Sequence, residues 1–283
     1  MRGLAEFIMR GRWQALAVAI LGSVLVLFAW ISSAALALVT MARGVGDGAW
    51  VALWALLPAL LLGWVSGDYG TGLLLLTTFL AAVVLRQTMS LALALVSIVP
   101  VSVIGGFALL VFNVAFIEAL LTLFDAWFDA IEAGNPELAE AGLARPTMVQ
   151  AAGLMAAGNA MLASLSLLLG RYWQAALYKP GAFGTEFRSL SLPVPWLILL
   201  VVLPLLGSFG GGEWATWIAA AGMPATLIGF ALLHGVAKQR QWGTGVMVFA
   251  YMTWFLVDIA KVLMLLAVVL DAVFDFRKIK ARS

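Results

Sequence analysis

The sequence predicts an all-α fold, a polytopic transmembrane helical bundle forming one integral membrane domain over residues 1–283. Three observations predict it. Of the 283 residues, 64% are hydrophobic and 11% charged, whereas a soluble domain carries about 25% charged residues. Apolar runs recur along nearly the whole chain, leaving no stretch for a sizeable soluble domain. Polar residues, Gly and Pro punctuate these runs at intervals near the roughly 20 residues that a helix needs to cross a bilayer.

The N-terminal "MRGLAEFIMRGRW" is basic and leads into apolar residues from Ala15 to Val39. That run exceeds the 7–15 residues of a signal-peptide core, so it reads as a retained helix with a cytoplasmic start. About eight hydrophobic segments follow from hydropathy: about 14–40, 49–65, 71–86, 89–116, 147–170, 194–210, 214–234 and 243–271. The second, third and sixth are short, and Pro195 and Pro204 interrupt the sixth. One of these three is the candidate for a re-entrant element.

Between the fourth and fifth segments lies an amphipathic acidic helix, about 117–132. Glu118, Asp125, Asp129 and Glu132 recur at spacings that put them on one face at 100° per residue, with Leu120, Leu123, Phe124, Trp127, Phe128 and Ile131 opposite. "AGNP" at 133–136 ends it. Two readings stand: an interfacial helix, or a docking face in which Asp125 and Asp129 bind a basic partner protein. The fifth segment carries Ala152, Ala156, Ala160 and Ser164 at a spacing of four, a small-residue ladder for close helix approach. A loop at about 171–193 combines Arg171, Lys179, Glu186 and Arg188 with Trp173, Tyr178, Phe183 and Phe187 around a Pro-Gly turn. It suits the headgroup layer, with an anionic-ligand or partner site as the second reading.

A net charge of +2 gives no basis for nucleic-acid binding. With no Cys and only His234, the chain lacks the ligands for a zinc, iron–sulfur or haem centre, so no metal and no cofactor is expected. Arg2, Arg10 and Arg12 at one terminus and Arg277, Lys278, Lys280 and Arg282 at the other place both termini inside a bacterial inner membrane. Eight crossings then leave Arg171, Lys179, Arg188, Lys238 and Arg240 outside and the acidic stretch 125–140 inside, against the usual charge bias. That conflict marks the middle of the chain as the place where the count is strained.

Asp258 and Lys261 are the most informative residues for function, since a charge at mid-bilayer costs about 2.5–3.5 kcal/mol on insertion scales. Three positions apart, they share a helix face with Tyr251 and Trp254. The pair either locks the helix into the bundle or forms a substrate or proton site. Asn113 and Asn159, polar residues within spans, would complete a small-molecule site if they converged on that stripe; otherwise they bond between helices. "GVGD" at 44–47 matches the GxGD pattern of intramembrane aspartyl proteases, but Asp47 stands in a Gly-rich turn and the partner Tyr-Asp is absent. No P-loop occurs, so the chain is not itself a Walker-type ATPase. His234 reads as an interface residue, and no enzyme is expected.

Through "YKPGAFGTEFRSLSLP" and its hydropathy plan, the chain resembles the YybS-like family of predicted bacterial integral membrane proteins. That family is remotely similar to the substrate-binding S components of energy-coupling-factor transporters. S components capture a small molecule and rely on a separate ATPase module, and the resemblance implies an S-component-like, transporter-like fold with no assigned substrate. It also implies that Ala15 and Ala19, an AxxxA pair, pack on a coupling protein. Eight segments depart from the six helices of that pattern. The expectation from sequence is therefore a multi-pass protein, surrounded by membrane lipids, that binds or moves a small molecule. The alternative is a non-enzymatic scaffold that recruits a partner through its acidic helix or its 171–193 loop.

Overall fold

The computed structural model describes residues 2–135, 137, 144–209 (backbone alone for 202–209) and 212–277, and these contain thirteen α-helices and no strands. α1 (Arg2–Arg10) is short and amphipathic, with Ala5 and Ile8 buried. α2 (Arg12–Val24) follows, then a 3-10 turn at Val26–Phe28 and α3 (Ala29–Ala42). The continuous apolar run of 14–40 is thus two helices. Leu25 turns extended (φ −91°, ψ 90°), and the Ser32 hydroxyl donates back to the Ala19 carbonyl. Gly22 allows this approach, because a Cβ there would stand 2.8 Å from Ser32 Cβ and 2.9 Å from the Phe28 carbonyl oxygen. At 1.5 Å per residue each arm is about 20 Å long, short of the roughly 30 Å apolar core of a bilayer.

Five helices are long and apolar enough to cross a membrane: α4 (Val45–Ser66), α5 (Gly70–Thr88), α6 (Leu91–Phe112), α8 (Met148–Tyr178) and α11 (Ala215–Gln239). Such a set belongs to a multi-pass membrane protein. Polar contacts fix their directions. At one end of the bundle, Arg12 pairs with Asp47 at the start of α4 (2.6 Å), and Arg86 at the close of α5 donates to the Met41 carbonyl at the close of α3. At the other end, Asn113 Nδ2 donates to the Gly67 carbonyl after α4 (2.6 Å). There too Gln150 at the start of α8 reaches the Gly212 carbonyl ahead of α11 (2.9 Å), and Trp217 Nε1 donates to the Val149 carbonyl (2.9 Å).

α7 (Val114–Gly134) begins at this second end and stays there. Arg145, two residues before the α8 cap Thr147, pairs with Asp125, Asp129 and Glu132 of α7 at 3.3, 2.6 and 3.2 Å. Both halves of α7 therefore lie along one end of the bundle. After α8 come α9 (Ala182–Arg188) and α10 (Val194–Phe209). α10 starts near the first end, is about 24 Å long and is followed by Gly212 at the second. Pro195 sits in its first turn, where no helical N–H is missed.

The final segment, 243–271, breaks at Val257 (φ −118°, ψ 108°) into α12 (Thr244–Leu256) and α13 (Asp258–Phe274). Phe230 of α11 stacks on Tyr251 and meets Trp254 edge-on, and His234 Nε2 lies 2.5 Å from the Tyr251 hydroxyl. α12 thus runs antiparallel to α11. Met264 of α13 packs on Gly229, where a Cβ would lie 2.6 Å from its Cγ, and Arg277 lies against Gly235, so α13 runs back parallel to α11. The turn at Val257 falls near the middle of α11, roughly 20 Å from the end it entered.

The first and last segments are thus each broken into two short helices, the second and third are the unbroken α4 and α5, and the sixth is the 16-residue α10. With both hairpins returning to their starting end, Arg10, Arg12, Arg43, Arg86, Arg171, Lys179, Arg188, Lys238, Arg240 and Arg277 gather at one end, hereafter the basic end. Asp68, Asp125, Asp129, Glu132 and Glu213 gather at the other, with Arg145 as the basic exception among the described residues. Lys278, Lys280 and Arg282 lie outside the described residues.

Candidate functional site

Bulky residues keep α12 from closing on its neighbours. Its sequence, TGVMVFAYMTWFL, leaves no residue buried, and it is held to α11 chiefly by the ring contacts of Phe230 and the His234–Tyr251 hydrogen bond. A cavity of about 580 Å³ opens between α11, α12 and α13. Phe230, Val236, Trp254, Leu263, Met264 and Ala267 line its apolar length. Gln239, Arg240, Trp242 and Phe276 line its mouth at the basic end. The Trp254 Nε1–H is buried without a hydrogen-bond partner among the described residues, a donor that an apolar environment penalises unless something accepts from it.

Asp258 and Lys261 stand at the hairpin's turn, not in the middle of a continuous helix. Their ion pair is short (2.6 Å), and their side chains are 94% and 44% exposed. Asp258 is the first residue of α13, where the helix N-terminus favours a carboxylate. Ala260, between them, lines the cavity. Of the four residues of the stripe, Trp254 faces the cavity, Tyr251 is engaged by His234, and the charged pair caps the tip.

The two asparagines go elsewhere. Asn159 Nδ2 donates to Thr77 Oγ1 (3.0 Å) and Ser102 Oγ (2.8 Å), joining α5, α6 and α8 at the centre of the bundle. Such bonds act as interhelical glue. Asn113 ties the start of α7 to the left-handed Gly67 (φ +80°) at the close of α4. Neither meets Asp258 or Lys261.

Ala15 and Ala19 are 1% and 0% exposed. Their small face is taken by the chain's own α3 and α4, which leaves no AxxxA surface facing a partner. Asp125 and Asp129 remain exposed but share Arg145, whose guanidinium is held above its ordinary range first by the hydrogen bond to Asp129. Asp47 is paired with Arg12. The 171–193 stretch is folded back on the bundle, with Arg171 Nε bonded to both Glu186 oxygens at 3.1 and 2.9 Å.

Sequence reasoning missed the anchor of the last hairpin. Arg277 donates twice to Asp271 Oδ2 (2.9 and 2.6 Å) and to the carbonyls of Arg188 and Leu190 (2.9 and 3.0 Å). The two side chains are 3% and 5% exposed, and Gln239 Nε2 donates to the Arg277 carbonyl (2.8 Å). The signal was Asp271, an acid at the very end of an apolar run beside a basic tail. The chain matches no family model, no curated protein and no solved structure.

Proposed function

We propose that the protein sits in the cytoplasmic membrane of a bacterium with its basic end inside, and that it binds or carries a small solute in the cavity between α11 and the α12–α13 hairpin. The break at Val257 carries this reading. It joins an open cavity of ligand size to an ion pair at mid-depth, and broken helices meeting near the membrane midplane are where secondary transporters place substrate and ion sites. The gathering of basic side chains at one end supports the orientation. The absence of a Walker motif from the sequence supports a binding subunit or a gradient-driven carrier over a self-powered pump.

In this reading Trp254 forms part of the wall the solute lies against, Tyr251 and His234 hold α12 in place, and Asp258 with Lys261 caps the hairpin's turn. Native mass spectrometry of gently solubilised protein tests it. Wild type is expected to carry a bound small molecule, and Ala267→Trp, which fills the cavity, is expected to carry none. Equal occupancy of the two proteins, or none in wild type, refutes the cavity as the site.

A further inference from the structure

We infer that the solute is a single-chain amphiphile with an anionic head, its tail along the cavity and its head at Arg240. The inference rests on the cavity being the binding site and adds the class of ligand. Three observations carry it.

The wall is apolar along its length, from Val236 and Ala267 near the mouth to Phe230, Leu263 and Trp254 deeper in. Arg240 is the one charged residue lining it among the described residues, and it stands at the mouth. That guanidinium forms no ion pair with a described residue, whereas Arg12, Arg145, Arg171 and Arg277 each hold a carboxylate. A planar fork of unpaired donors suits a carboxylate or phosphate oxygen pair. Gln239, beside it, is neutral and has a side-chain N–H committed to the Arg277 carbonyl (2.8 Å), so Arg240 is the cationic donor there.

The depth fits one tail. The lining runs from Arg240 at the close of α11 to Ala260 beside the hairpin's turn, about the 20 Å length of α12, against about 15 Å for one leaflet of the hydrocarbon core. Tail burial supplies affinity in proportion to the apolar area removed from water. Arg240 supplies selection by charge.

The experiment uses the full chain in phosphatidylcholine nanodiscs and two probes with the same tail, 9,10-dibromostearate and its uncharged methyl ester, whose bromines quench a tryptophan they touch. Trp254→Phe identifies the part of the quenching that reports the cavity. Dibromostearate is expected to quench that part at least fivefold more tightly than the ester, Arg240→Gln to abolish the difference, and excess inorganic phosphate to have no effect. Equal quenching by both probes, no change in Arg240→Gln, or displacement by phosphate would overturn the anionic amphiphile while leaving a cavity that binds. If the Trp254-dependent quenching persists in both Ala267→Trp and Ala260→Trp, or is absent from wild type, the underlying cavity reading fails instead.

Discussion

The hairpin of α2 and α3 and the hairpin of α12 and α13 both enter and leave at the basic end with arms of similar length, yet the first is closed and the second open. Ala15, Ala19, Gly22 and Ser32 face one another in the first, so the backbones approach until a hydroxyl reaches a carbonyl across the gap. Its turn, Leu25 to Phe28, is wholly apolar and exposed. In the second, Phe, Tyr, Met and Trp side chains stand where small residues would allow contact, and the result is a cavity of about 580 Å³. Its turn carries an ion pair. One backbone device serves packing or binding according to side-chain size at the seam and charge at the tip.

The comparison breaks hardest at the base of the open hairpin. Arg277→Met should cost about 3–5 kcal/mol, because it leaves Asp271 buried and uncompensated, and Asp271→Leu added to it should recover part of the loss. Thermal unfolding of the solubilised variants checks both, and an unchanged single variant would remove the anchor from the account. Gly22→Leu comes next, at about 2–3 kcal/mol, since the new side chain meets the Phe28 carbonyl and Ser32 and neither can withdraw. Gly229→Ala in the open region should cost less than about 1 kcal/mol, because only the flexible Met264 must move. Comparable losses for the two glycines would show the hairpins to be packed alike. Ser32→Ala should cost about 1 kcal/mol for one buried hydrogen bond, read from the same unfolding curves.

Much of the fold was legible in composition and hydropathy, including the all-helical membrane class and the acidic helix after the fourth segment. The breaks were not. Leu25 and Val257 sit in runs of residues that favour continuous helix, without the Gly or Pro that would mark an end, and tertiary packing decides such places against local propensity. The conflict of charges around Arg171 and Lys238 was the available sign that some apolar runs were not single continuous helices. At the candidate site, Tyr251, Trp254, Asp258 and Lys261 drew notice because polar groups in an apolar run are costly. Arg240 drew none, since a basic residue after a span is ordinary, and its place at a cavity mouth is a fact of three-dimensional packing. Asn113 and Asn159 were legible as polar and buried, but their partners Gly67, Thr77 and Ser102 lie between 46 and 82 residues away along the chain.

The two returning hairpins also lighten what biogenesis must accomplish. In the proposed orientation, with the basic end inside, neither terminal hairpin would carry a hydrophilic segment across the bilayer. The longest stretch that would cross, 113–147, holds a single basic residue, Arg145, among six acids, and the folded protein covers that arginine with Asp125, Asp129 and Glu132.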